Sequence, residues 1–185
     1  MTEIDVMGID GERVEAWFLE HVDGAVAPLR FELLAGGHSN LTYAVAGADG
    51  RRFVLRRPPT GPLLASAHDM AREHRIIAAV GPTAVPVPGA LALCEDDAVN
   101  GAPFYVMDYV EGDVLHDDVI TVERVPESQR PALAWSLIDV LAELHGLDPD
   151  DVGLGDLGKK ADYIPRQLRR WSRQWEQSKT RELPV

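Results

Sequence analysis

Four short segments hold residue types that can do more than fill a core. The first is Ala35-Gly36-Gly37-His38-Ser39-Asn40. Two adjacent glycines permit backbone conformations that aim N–H groups into a concavity, and Ser39 and Asn40 add short polar donors. Such a turn can cover phosphates, and it can equally be an ordinary glycine-rich hairpin turn. It matches neither G-x-G-x-x-G nor the G-x-x-x-x-G-K-[ST] loop. The second segment is Phe53-Val54-Leu55-Arg56-Arg57. Side chains alternate along a strand, so Val54 and Arg56 share one face while Leu55 and Arg57 share the other. One of the two arginines must therefore point the same way as core-type residues. The third feature is Glu73, three residues after Met70 and four before Ile77, inside the apolar stripe of a helix. A carboxylate there is costly unless paired. Arg56 is its natural partner; the alternative is a place at the stripe's margin, reaching water. The fourth is Pro103-Phe104-Tyr105-Val106-Met107-Asp108-Tyr109-Val110-Glu111-Gly112, an apolar run entering a glycine-ended connector. Alone, that is a buried strand.

The elements that must position these residues follow from periodicity and punctuation. Asp10 and Gly11 precede a helical pattern with Val14, Trp17, Phe18 and His21 or Val22 on one face, closed by Pro28. Three strand-like runs, 30–35, 41–46 and 52–57, are separated by Gly36-Gly37 and by the hairpin turn Ala48-Asp49-Gly50. Pro58-Pro59 stops the third. From 66 to 80 the period is helical, with Ser66 and Asp69 forming an S-x-x-D start and Gly81-Pro82 an end. Strands at 90–94 and 103–110 flank a turn at 95–101, and helices follow at 130–144 and 162–178. Five antiparallel strands with one inserted helix, then helices only, make an α+β lobe with a second layer begun behind it.

Composition narrows the classes. The chain has 185 residues, 45% of them hydrophobic and 26% charged, which is globular rather than disordered or fibrous. A formal charge of −12 repels phosphate backbones and anionic membranes, so neither nucleic acid nor membrane is an expected partner. Cys94 is the single cysteine, which excludes an internal disulfide and a cysteine zinc site and fits a cytoplasmic setting. The acidic start MTEIDVMGID lacks the apolar core of a secretion signal. The six histidines form no i,i+4 pair and no H-E-x-x-H, and no G-x-S-x-G elbow is present. Charge is uneven: residues 159–182 carry eight basic and three acidic groups, a net +5, leaving −17 for residues 1–158.

The four segments, in this order, resemble a protein-kinase-like N-terminal lobe. The likeness is greatest to the aminoglycoside phosphotransferase and choline kinase-like families, in the branch that includes the kinase-like domain found beside acyl-CoA dehydrogenases. The strings that carry it are G-G-H-S-N-L-T-Y, F-V-L-R-R-P-P, A-R-E-H-R-I-I, F-Y-V-M-D-Y-V-E-G and G-L-G-D-L-G followed by R-Q-L-R-R-W. It covers about residues 33–184. The resemblance implies a division into an N-terminal helix at 1–28, a nucleotide-binding lobe at 29–112 and the start of a helical C-terminal lobe at 113–185. It implies that Arg56 stands where a lysine usually contacts the α- and β-phosphates of ATP, with Glu73 as its ion-pair partner. Gly36, Gly37, Ser39 and Asn40 would form the phosphate flap. Met107 would back the adenine pocket, the Asp108 C=O and Val110 N–H would bond the adenine edge, and Leu34, Tyr43 and Val54 would be apolar walls.

Phosphoryl transfer also needs a group to orient the acceptor hydroxyl and oxygen ligands for Mg²⁺. In the resembled families these come from an H-G-D-x-x-x-x-N loop and a later Asp. Leu144-His145-Gly146-Leu147-Asp148 imitates that loop but has Leu147 between Gly146 and Asp148, and Gly153 where the asparagine should be. The only asparagines are Asn40 and Asn100. Asp148, Asp150 and Asp151 read as turn and capping residues. The expectation is the ATP-binding lobe of a small-molecule kinase that moves the ATP γ-phosphate to a hydroxyl acceptor, with no catalytic residue in this chain and the Mg²⁺ ligands elsewhere. By itself the chain should bind nucleotide weakly or not at all and transfer no phosphate. A pseudokinase-like module binding a ligand or partner is the alternative. The seam Ile164, Leu168, Trp171 and Trp175 packs on a further lobe, folds back locally, or pairs two copies as a homodimer.

Overall fold

The computed structural model describes residues 6–34, 40–61, 68–159 and 161–178. Helix α1 (Gly11–His21) opens at Asp10, whose carboxylate accepts from the Arg13 N–H, and its stripe buries Val14 and Phe18. Strands β1 (Arg30–Leu33), β2 (Leu41–Ala46) and β3 (Arg52–Arg57) form the expected meander, turning at Gly50 with φ +85°. Helix α2 (Met70–Val80) follows, then β4 (Ala90–Cys94), the single helical turn α3 (Asp97–Asn100) and β5 (Phe104–Asp108). The sheet runs β1-β2-β3-β5-β4, antiparallel throughout. Helices α4 (Asp118–Arg124), α5 (Arg130–Gly146) and α6 (Tyr163–Ser178) complete the order.

Strand parity decides what each side of the sheet does. Phe31, Tyr43, Val45, Phe53, Leu55, Phe104 and Val106 join Val14 and Phe18 of α1, and Val22 just after it, in one core. Phe18 meets Phe31 and Phe53 edge-on, and Trp17 meets Phe104 likewise. The opposite side carries Thr42, Ala44, Val54, Arg56, Tyr105 and Met107, adjacent in register across β2, β3 and β5. Helix α2 lies against this second side, since Tyr105 on β5 bonds its Glu73.

Several expectations are revised. Helix α2 starts at Met70, because Asp69 accepts from the Arg72 N–H and so ends the non-helical run; Ser66 lies outside the described residues. The turn at 95–101 holds α3, capped by Asp96 and closed by Gly101 at φ +69°. Helix α4, with Asp117 as its cap, was not anticipated at all. Helix α1 shares the core of the sheet. Contacts within the chain give two compact units, Met1–Leu147 and Asp148–Val185. The connector after β5 stays tied to β3, with the Arg52 guanidinium 3.8 Å over the Tyr109 ring and paired with Glu111. In α6, Ile164, Leu168, Trp171 and Trp175 all lie exposed. Among the described residues, no helix is long and apolar enough to cross a membrane.

Cys94 is buried at the end of β4, and burial is the main cause that pushes its thiol pKa up. The folded chain should therefore resist alkylation by iodoacetamide even at about pH 8.5, the ordinary thiol range. In denaturant, labelling should become complete. Mass spectrometry of quenched samples checks this, and rapid labelling of the folded chain would contradict the packing of β4.

Candidate functional site

The two arginines that end β3 go to opposite sides of the sheet. Arg57 follows Leu55 into the core side and is only 6% exposed. Its Nε donates to the Pro58 carbonyl at 3.1 Å, and its Nη1 donates to the Asn100 carbonyl at 3.1 Å and to the Gly8 carbonyl. Burial pushes its pKa down, the nearby Tyr43 hydroxyl opposing. Tyr43 in turn donates to the Met7 carbonyl, and Asn100 accepts from the Asp10 N–H at 2.9 Å. This buried knot fastens residues 7–10 and α3 to the end of β3. It is structural.

Arg56 takes the other side, where its register neighbours are Thr42 on β2 and Tyr105 on β5. Its Nε donates to Glu73 Oε2 at 2.9 Å, and its Nη1 donates to Thr42 Oγ1 at 3.2 Å. Glu73 therefore sits inward and paired. Three donors converge on it: Arg56, the Tyr105 hydroxyl at 3.2 Å to the same oxygen, and Asn40 Nδ2 at 2.8 Å to Oε1. Burial, then the neighbouring Glu73 charge, pushes the Tyr105 phenol far up, so it remains a neutral donor. His74, edge-on to Tyr105, is held by burial below its ordinary range. About a third of each partner of the ion pair stays exposed, 32% for Arg56 and 34% for Glu73. Arg56 Nη2 has no partner among the described residues, which leaves a charged N–H group available to an anion.

The remaining expected positions divide as follows. Gly36, Gly37 and Ser39 lie outside the described residues. Asn40 is described, and its buried amide bonds to Glu73 and His68, so its side chain supports the ion pair. Val54 is nearly buried beside Met107, its register partner on β5. The Asp108 N–H donates to the Gly89 carbonyl at 2.9 Å, and its carboxylate lies where a side chain on residue 89 would sit. Val110 is 67% exposed in the connector. Tyr43 is a correction: it pairs with Leu55, not Val54, and is wholly in the core. The residue beside Val54 on the Arg56 side is Ala44. Thr42, Tyr105, His68 and Arg52 were missed. The hairpin turn fixes the register that sets Thr42 opposite Arg56, so that one was readable; the β3–β5 pairing that brings Tyr105 was not.

The loop imitation at the end of α5 is a turn. Helix α5 ends at Gly146, and Asp148 Oδ1 accepts from the Asp150 N–H at 2.9 Å, as capping residues do. Among the described residues, no group of three or more His, Cys, Asp or Glu side chains could hold a metal ion.

The adjacent arginines should separate cleanly in a stability measurement. Arg57→Ala leaves three carbonyls without this donor, those of Pro58 and Asn100 in buried contacts, and should cost about 2–4 kcal/mol. Arg56→Ala, at a half-exposed pair, should cost under about 1 kcal/mol. Urea unfolding of the two variants checks this; equal losses would contradict the division of roles.

This arrangement can be set beside known proteins. The model of the phosphotransferase enzyme family matches residues 30–185. Mouse (Mus musculus) acyl-CoA dehydrogenase family member 10 is 39% identical over 165 residues, 89% of this chain and 15% of that protein. The Arabidopsis thaliana protein described as "Probable acyl-CoA dehydrogenase IBR3" is 38% identical over 154 residues, 80% of this chain and 18% of that protein. A solved structure of a "putative aminoglycoside phosphotransferase" from Ralstonia eutropha superposes with a TM-score of 0.73 at 36% identity. It covers 95% of this chain and 50% of that one. The chain thus spans half of that structure and under a fifth of those two relatives. A five-stranded antiparallel sheet with one inserted helix, an inward carboxylate paired to the third strand and a family match over most of the length lead to one assignment: this chain belongs to the phosphotransferase enzyme family.

Proposed function

We propose that this chain is the ATP-binding lobe of a phosphotransferase that moves the γ-phosphate of ATP to the hydroxyl of a small molecule. The observation that supports it is the Arg56–Glu73 ion pair, held on the open side of the sheet by Thr42, Tyr105 and Asn40. A guanidinium fixed by its Nε and Nη1 still offers an N–H group to a phosphate oxygen, and a planar fork suits that geometry. The connector after β5 fits the adenine end of the same reading. Val110 is exposed there, Asp108 is tied to Gly89, and Arg52 holds Tyr109 and Glu111 on either side of Val110.

The Arg56 guanidinium and the connector suit the phosphates and base of ATP; the described residues offer no group of three or more His, Cys, Asp or Glu side chains to Mg²⁺. Bound ATP would supply the phosphoryl group and leave as ADP. What the chain's own residues contribute is binding and orientation: Arg56 neutralises phosphate charge, Glu73 orients Arg56, and the connector places the base. Any Mg²⁺ that accompanies ATP would be held by its phosphates and by ligands other than a cluster of the described residues, and no step is derived through it. The acceptor hydroxyl belongs to the same proposal, and a sugar, an aminoalcohol or a hydroxyacyl thioester all satisfy it.

Titration of the chain with ATP, followed by NMR, tests the reading. Shifts should concentrate at Val54, Arg56 and Val110, with a Kd of about millimolar, roughly 4 kcal/mol of binding. Arg56→Ala should remove them, and no ADP should form with any hydroxyl acceptor. An absence of shifts at these positions at saturating ATP would overturn the assignment.

A further inference from the structure

We infer that Asn40 and His68 are positioning residues, which fix Glu73 and through it hold Arg56 in the geometry that a nucleotide phosphate meets. The inference rests on the nucleotide-binding reading above and deepens it. Both Arg56 and Tyr105 donate to the same oxygen of Glu73, Oε2. Two contacts on one oxygen leave the carboxylate free to turn about its own axis. Asn40, donating to Oε1 at 2.8 Å, is what fixes the plane. Its amide is itself constrained at both ends, because Oδ1 accepts from His68 Nδ1 while Nδ2 faces the carboxylate. A flipped amide would set oxygen against oxygen, so the arrangement has one sense and requires a proton on His68 Nδ1.

Burial makes these contacts consequential. Asn40 is only 5% exposed, where an unmet amide is costly and a met one is rigid. His68 adopts φ +69°, a left-handed backbone uncommon outside glycine, though histidine takes it more often than most residues. The conformation brings its ring to Asn40, and it immediately precedes Asp69, the cap that starts α2. Asn40 stands one residue before β2, so the chain His68–Asn40–Glu73–Arg56 links the beginnings of β2 and α2 to the end of β3. None of this binds ligand directly. It sets where the Arg56 fork points.

The Arg56 Nε–H resonance reports the effect without any nucleotide. In the native chain its exchange with water should be slow, and Asn40→Ala and His68→Ala should each speed it about tenfold. Both should also weaken ATP binding about threefold to tenfold. His68→Asn keeps a donor and suits a left-handed backbone, so it should restore both readouts to within about twofold. If Asn40→Ala does not fold, the two substitutions at partly exposed His68 decide the question. Exchange at Arg56 that is unchanged in His68→Ala overturns the positioning role. A native chain that shows slow Arg56 exchange but no response to ATP contradicts the nucleotide reading instead, so the two failures are distinguishable.

Discussion

Glu73 is an acid set among Met70, Ile77 and Val80 on one helix, and a carboxylate in that company has to be met by donors. Three converge on it, from three different parts of the chain: Asn40 before β2, Arg56 on β3 and Tyr105 on β5. Each must arrive on the same side of the sheet. That requirement ties together the hairpin register, the insertion of β5 beside β3 and the placement of α2 on this side. The pair itself is half exposed, so its worth in stability is small. Its value is directional: a guanidinium that would otherwise sample many rotamers is held in one.

Stability comes from the other side of the same sheet. There α1 and its C-cap lay Val14, Phe18 and Val22 on the inward residues of β1, β2, β3 and β5, and Arg57 closes the end of that core by donating to three carbonyls. Two neighbouring arginines of identical chemistry thus have separate duties, and strand alternation alone divides them. One is buried and fastens the fold. The other is paired with Glu73 and keeps about a third of its side chain exposed.

Much of this was legible in the residues. The strand, helix and hairpin positions follow from periodicity and from Gly and Pro punctuation, and the arginine–carboxylate pairing follows from the cost of an unpaired acid in an apolar stripe. The family resemblance implies Tyr43 as a pocket wall, but parity with Leu55 sends it to the core. The contributions of Tyr105 and His68 were hidden because they depend on contacts distant in sequence, between β3 and β5 and between residues 40 and 68. Helix α4 was unread because its few apolar residues, Val119, Ile120 and Val122, form no buried stripe. The family match extends over 30–185, while the chain spans half of the Ralstonia eutropha structure.

The central claim is that the carboxylate on α2 acts on a bound nucleotide by way of the arginine on β3. A double-mutant cycle reads this directly: ATP affinity of the native chain, Arg56→Gln, Glu73→Gln and the double variant. Coupled residues should give an interaction energy above about 1 kcal/mol, with the double variant little worse than Arg56→Gln. Strictly additive losses, with Glu73→Gln weakening binding as much in the absence of Arg56 as in its presence, would contradict the account.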